Sequence, residues 1–392
     1  MDVMEKIKSY NKNLPEDLLQ IKYAAMCESP FRFYRGACNL FADDFEKLHG
    51  YNSKIKTWVC GDLHFENFGS FKAQNRLVYF DMNDFDEAIL TTPEAELTRF
   101  LSSIIIAAKN MKAAESKLIS AIENLLQHYI STLQKGKALL MEKETAHGKL
   151  RKYFEQLESR NREDFIASRT ENKNGKVVLK IDDKKLLPLK DELKFELFLS
   201  LKTFFKHEKM FRDLEFIDAA FRIAGTGSLG LQRYAILCFN KKKNKHYLME
   251  CKQSRASCYS KLVKTKQPKF ANEAERIIFV QNIMQFYSPD FLHSFSFQNK
   301  NFVVKELQPT ADKLALVDFK TNFNALQEVA LEMAELMAYA QLRSCGRSGS
   351  SSADELISFA NKNKWQKKIP AICFEIAARN EKYFQEFLKA KK

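Results

Sequence analysis

Gly61-Asp62-Leu63-His64-Phe65-Glu66-Asn67 follows a short β-prone run, Thr57-Trp58-Val59-Cys60, and its reading decides how the rest of the chain is organised. An acid stands at the end of a strand, and an asparagine follows five residues later in a tight loop. Phosphoryl transfer needs a carboxylate to orient and deprotonate the acceptor hydroxyl, and an amide oxygen beside it to hold a magnesium ion. Asp62 and Asn67 can serve these two roles, because a loop of this length can point both side chains into one cleft. A second predicted strand, Arg76-Leu77-Val78-Tyr79-Phe80, ends in Asp81-Met82-Asn83-Asp84-Phe85-Asp86. Asp81 is the expected second metal carboxylate, Asp84 is the runner-up, and Asp86 is also within reach. His64 either touches a phosphate oxygen or braces the loop, and the residues leave both readings open.

Working outward, Thr92 and Pro93 are the expected N-cap and first residue of a helix whose apolar face is Leu97, Leu101, Ile104, Ile105 and Ala108. Residues 112–165 and 190–217 have a helical pattern, and the stretch around Asn174-Gly175 between them reads as a turn or hairpin. From about 218 the texture changes to predicted strands at 221–224, 232–239 and 246–251, the last two joined by a lysine-rich turn at 241–245. A helix at about 271–287, a strand at 302–305 and an amphipathic helix at 325–342 follow, and a Ser/Gly-rich loop from Ser344 to Ser352 precedes the last helical stretch.

A second set of chemistry-bearing residues lies in that later region. Gly225-Thr226-Gly227-Ser228-Leu229-Gly230 falls between two strands, where a dinucleotide fold would need a strand followed by a helix. A glycine hairpin of this kind suits phosphates, because missing Cβ atoms let backbone N–H groups approach an anion. Lys252 follows on the next apolar strand, where its desolvation has to be offset by an anion or a carboxylate. Nucleotide phosphates, together with an acid on the following helix, would supply that partner; Glu273 and Glu275 stand there, and Glu275 is preferred because Ile278 and Phe279 pack one turn on.

Composition narrows the remaining classes. The 392 residues are 45% hydrophobic and 29% charged, with 33 Phe but only 12 Gly and 8 Pro, which excludes wholesale disorder and collagen-like or low-complexity chains. The longest apolar run, Ile104 to Ala108, is far short of the roughly 20 residues that cross a bilayer. The N-terminus is charged, and the eight scattered cysteines form no CxxC pair, so a cytoplasmic, reducing environment is expected and a zinc site is not. The net charge of +14 is uneven: residues 241–269 hold nine Lys and Arg255 against Glu250 alone. That segment would suit an acidic surface or an anionic partner. Nucleic acid is not expected, since no RNP aromatics, helix-turn-helix pattern or finger spacing accompanies the charge.

Gly61-Asp62-Leu63-His64-x-x-Asn67 resembles the catalytic loop of aminoglycoside phosphotransferase-type and protein kinases, and Phe80-Asp81 is similar to their metal-binding aspartate. Gly225-x-Gly227-x-x-Gly230, Lys252 and Glu275 resemble their glycine loop, strand lysine and helix glutamate. More closely, the chain resembles the bacterial family of domain of unknown function 2252. The resemblance is carried by Phe31-Arg32-Phe33-Tyr34-Arg35-Gly36, Cys60 to Gly69, Phe80 to Glu87, Gly225 to Gly230 and Val280 to Gln285. One departure is Cys345-Gly346-Arg347-Ser348-Gly349-Ser350, where the family carries His-Ala-Arg-Ser-Gly-Asp.

What the resemblance implies is an α+β, bilobal, protein-kinase-like fold in a circularly permuted order, since Asp62 precedes the glycine loop. Residues 1–217 would form the first part of a helical large lobe with the catalytic and metal loops, 218–306 the small nucleotide-binding lobe, and 307–392 the hinge and the remainder of the large lobe. It implies an ATP- and Mg²⁺-dependent phosphotransferase acting on a hydroxyl of a small molecule or protein. Asp62 would be the base with His64 beside it, Asn67 and Asp81 (or Asp84) the metal ligands, and Gly225, Gly227, Ser228, Gly230 and Lys252 paired to Glu275 the phosphate site. Glu306-Leu307-Gln308-Pro309 would be the hinge. A non-catalytic nucleotide-binding pseudokinase and a nucleotidyl (AMP) transferase are the rival readings.

Overall fold

The computed structural model describes residues 2–158, 161–307 and 314–391 and has an α+β architecture. Its largest sheet has six antiparallel strands in the spatial order His293–Phe297, Lys300–Glu306, Lys245–Gln253, Arg233–Asn240, Leu214–Arg222 and Leu186–Pro188. Alternation along each strand gives the sheet two different faces. One face buries Tyr234, Ile236, Cys238, Tyr247, Met249, Cys251, Phe302 and Val304 beneath Leu197 and Leu201 of the helix Asp191–Phe204. The other presents Ala220, Ala235, Leu237 and Leu248, with Leu179 and Leu186 packed beside them.

The sheet begins at Leu186 and its long strand at Leu214, ahead of the expected change of texture at 218, and the helical pattern read over 190–217 ends at Phe204. Leu214, Phe216 and Ala219 bury on the same side of that strand across an irregularity between Phe216 and Asp218, which disguised the two-residue period in the sequence. The hairpin around Asn174-Gly175 forms, with both residues at positive φ (52° and 78°) as a two-residue turn demands. The helical pattern over 112–165 resolves into Glu115–Lys135, Gly148–Glu158 and Arg162–Arg169, with a loop after Lys135.

The largest hydrophobic core joins the two halves of the chain. The helix Pro93–Asn110 starts with Pro93 at its first turn and Thr92 at the N-cap, although the Thr92 hydroxyl bonds to Glu94 instead of capping. Its Leu97, Leu101, Ile104 and Ile105 pack with Leu118, Ile122 and Leu125 of Glu115–Lys135 and with Leu326, Val329, Met333 and Leu336 of Phe323–Arg343. Nearer the termini, Val3, Ile7, Tyr23 and Phe33 share a cluster with Phe384 and Phe387 of Ile369–Lys391. Among the described residues, no helix is long and apolar enough to cross a membrane.

Candidate active site

A cavity of about 760 Å³ opens between one face of the six-stranded sheet and the loops that follow Thr57–Val59 and Val78–Met82. Asp62, His64, Asn67, Asp84, Gly225, Gly227, Ser228, Lys252 and Glu306 all line it. Gly61 makes the first turn into the site: its φ is +86°, and a Cβ there would stand 2.2 Å from the Glu87 carbonyl oxygen. The loop that holds Asp62 is therefore pressed directly against the loop that holds Asp84 and Asp86.

Arg99 fixes the Asp62 side chain, donating from Nε (3.0 Å) and Nη2 (2.7 Å) to the same oxygen, Oδ1. Arg99 is fully buried, lies 3.5 Å from the Tyr34 ring centroid and also donates to the Tyr34 carbonyl. Oδ2 of Asp62 is turned toward the glycine loop, 3.6 Å from where a Gly227 Cβ would stand. Burial pushes the Asp62 carboxyl up to about 6, against the opposing pull of Arg99.

Asn67 ties the two acidic loops together. Its Nδ2 donates to the carbonyls of Asp62 (2.9 Å) and Asp84 (3.1 Å), and its Oδ1 accepts from the Asp84 N–H at 2.8 Å. The Asp84 side chain remains 43% exposed to the cleft. Lys252 Nζ donates to both Asp84 oxygens at 3.0 Å and pairs with Asp86 at 2.5 Å. Desolvation acts to raise the Asp84 carboxyl, but Lys252, then Lys305, hold it far below the ordinary carboxylate range. Burial acts to discharge Lys252, and Asp84 and Asp86 more than offset it, so the lysine stays an ammonium.

Two expected placements are corrected. Asp81 lies outside the cleft: its Oδ2 meets Arg343 at 3.1 Å and its Oδ1 accepts from the Met82 N–H, so the end of Phe323–Arg343 neutralises it inside the core. Asp84 faces the cavity instead, with Asp86 beside it. Glu275 is bonded by Ser294 and does not reach Lys252, because the helix Glu273–Met284 turns its Ala274, Ile277 and Val280 into the large core while Lys252 faces the cleft. Of the expected hinge, Glu306 lines the cavity with its carboxylate paired to Arg76 at 3.0 Å, Leu307 donates from its N–H to the Leu248 carbonyl, and Gln308 and Pro309 lie outside the described residues.

His64 accepts from Arg35 Nε at 3.2 Å, a bracing contact, while Arg35 also pairs with Glu66. Gly230 stands back from the main cavity against Leu14. The basic segment 241–269 is not one surface: the 241–245 turn lies at the far end of Arg233–Asn240 from the glycine loop, about 25 Å away for a strand of that length. The loop Cys345 to Ser350 lies beside Thr57–Val59, where the Trp58 indole N–H donates to the Arg347 carbonyl.

Arg99, Arg222, Arg233, Glu250 and Lys305 belong to the site without having been expected there. Arg99 carried a usable signal, since an arginine between Leu97 and Phe100 on an apolar helix face demands a carboxylate as much as Lys252 does. Among the described residues, no group of three or more His, Cys, Asp or Glu side chains is placed to hold a metal together. No curated protein and no solved structure matches the chain. The loops that build this site all lie inside the stretch, residues 14–390, matched by the family model described as "Uncharacterized protein conserved in bacteria (DUF2252)", and the chain belongs to that family.

Proposed function

We propose that this chain is an ATP- and Mg²⁺-dependent phosphotransferase acting on a hydroxyl acceptor, built on a circularly permuted, bilobal kinase-like fold. The observation that carries the reading is the meeting of Asp62, Asn67, Asp84, Lys252 and the glycine loop in one cavity, although Lys252 and Asp84 are 168 residues apart. The order of parts in the sheet supports it further: strand, glycine loop, strand, then a strand bearing the lysine, as in protein kinases.

Arg99 holds Asp62 Oδ1, which leaves Oδ2 to accept the proton of an acceptor hydroxyl. A carboxyl poised near 6 is ionised at neutral pH yet basic enough to take up that proton as the acceptor oxygen attacks. Lys252 is charged, 8% exposed and directed into the cleft, so it can exchange the carboxylates for nucleotide phosphates. Asp84, together with the Asn67 amide oxygen, which also accepts the Asp84 N–H, would hold a magnesium ion, with phosphate and water supplying its other ligands. When bound, the ion would neutralise charge on the transferring phosphoryl group. Asp81, already neutralised by Arg343, does not fit that role. The division into a helical lobe from both chain ends and a nucleotide lobe around the sheet belongs to the same proposal, as does a cytoplasmic location; all eight cysteines are free, as a reducing compartment would leave them.

The test is a thermal-shift screen with ATP, GTP and Mg²⁺, followed by transfer from ATP labelled on the γ- or the α-phosphate. Nucleotide at about 100 times its dissociation constant stabilises by roughly 2.7 kcal/mol. γ-Label on a product supports phosphoryl transfer, α-label would replace it by nucleotidyl transfer, and binding without either would leave a pseudokinase. No stabilisation by any nucleotide would overturn the proposal.

A further inference from the structure

The floor of the cleft carries charges that the phosphotransferase reading leaves unused. Strand alternation sends Leu248, Glu250 and Lys252 to the cavity side of the sheet, with Ala235 and Lys305 opposite Glu250 and Arg233 opposite Lys252. Glu250 is 5% exposed and ionised: although burial acts against it, Arg233 and then Arg222 hold its carboxyl at about 2. Both arginines reach the same oxygen, Arg222 through Nη1 and Arg233 through Nε at 3.3 Å. Arg233 also donates from Nη1 to the carbonyl of Ala224, the residue before the glycine loop, at 2.8 Å. Arg222, Arg233, Lys252 and Lys305 thus converge on one cavity in which Glu250, Asp84 and Asp86 are the acids they meet.

A single arginine would satisfy a buried carboxylate. Glu250, Asp84 and Asp86 set three negative charges against these four cations, so one positive charge is left over in the cavity that all seven side chains line. We infer that Arg233 is a second phosphate-binding cation of the nucleotide site, positioned by Glu250 and joined to the glycine loop through Ala224. The inference rests on the phosphotransferase reading and names what that site selects: a ligand with a polyphosphate tail. A guanidinium presents a rigid planar fork matched to two phosphate oxygens, whereas the Lys252 ammonium is a compact point charge. Because Arg233 holds the start of the loop whose Gly227 lies on Asp62, a phosphate drawn to Arg233 also sets the backbone above the catalytic carboxylate. Beside this floor, Leu179, Leu186, Leu248 and Leu307 add an apolar patch to the cavity lining that can take a flat base.

The experiment titrates the full chain, wild type and Arg233→Met, calorimetrically with ATP, inorganic tripolyphosphate and adenosine in the presence of Mg²⁺. Arg233→Met is expected to weaken ATP and tripolyphosphate roughly tenfold or more, the size of a lost charge-assisted contact, with adenosine changed by no more than about twofold. Arg233→Lys, which keeps the charge and loses the fork, should recover part of the tripolyphosphate affinity, and it serves alone if the methionine variant does not fold. Equal loss for adenosine and ATP, or no loss for tripolyphosphate in either variant, would overturn the assignment of Arg233 while leaving the phosphotransferase reading intact. A wild-type chain that binds neither ATP nor tripolyphosphate would overturn both.

Discussion

Asp81 and Asp84 stand three residues apart at the end of the same strand, carry the same side chain and meet different cations. Asp81, inside Val78–Met82, points into the core and meets Arg343, whose guanidinium also bonds the carbonyls of Met284 (2.6 Å) and Leu139 (3.0 Å). That arginine ties three segments together and does not line the cavity. Asp84, two residues past the strand, meets Lys252 at the edge of a cavity and keeps nearly half of its side-chain surface open. A carboxylate's role here is set by what lies on the far side of its cation: packed carbonyls make the pair a staple, and open space makes it a pair that a ligand can part.

The largest expected effect separates the two aspartates by activity. Asp84→Asn should cut transfer by two to three orders of magnitude and abolish the Mg²⁺-dependent part of nucleotide stabilisation, whereas Asp81→Asn should leave both nearly intact. Transfer rates and melting curves with and without Mg²⁺ decide it, and the comparison breaks if Asp81→Asn is the variant that loses metal dependence. A second loss of similar size is expected from Asp62→Asn, this time with nucleotide affinity kept within a few-fold, because Asp62 faces the acceptor and acts mainly in the transition state. Lys252→Ala should weaken affinity and turnover together. Wild-type turnover in Asp62→Asn would show that this carboxylate only shapes its loop.

Stability reverses the order of the aspartates. Asp81→Asn leaves the buried Arg343 charge without its partner and should cost about 3 kcal/mol in denaturant unfolding. Asp84→Asn, at a partly open site where Asp86 still meets Lys252, should cost no more than about 1 kcal/mol. Combining Asp81→Asn with Arg343→Met should recover much of the loss, and failure to recover any would mean that the Arg343 contacts to Met284 and Leu139 matter more than the ion pair. The smallest effect is in pH. With the Asp62 carboxyl at about 6, the base is ionised above that value and protonated below it, so turnover should fall about tenfold per unit as pH drops below 6. Arg99 favours the charged form, so Arg99→Lys, which loosens that hold, should move the acid limb to higher pH; an unmoved limb would show that another group sets it.

Much of the chain's local structure was determined by the sequence alone. The strand ending in Gly61-Asp62, the hairpin at Asn174-Gly175, the helix starting at Pro93 and the glycine loop between two strands each depend on residues within a turn or two of one another: a positive φ, an N-cap position, an alternation of period two. The short strands Phe68–Lys72, Ile89–Thr91 and His293–Phe297 were not legible; each exists through its partner, Val78–Met82, Thr57–Val59 or Lys300–Glu306. Tertiary structure alone decided the ion pairs. Lys252 announced that it needed an acid, but its choice of Asp84 and Asp86 over Glu275 depends on which face the helix Glu273–Met284 turns to the core. Likewise Arg343 reaches Asp81 across 262 residues, and Arg99 reaches Asp62 from a helix whose pattern speaks only of burial. A buried charge states its requirement in the sequence; the partner that meets it is chosen by how distant segments pack.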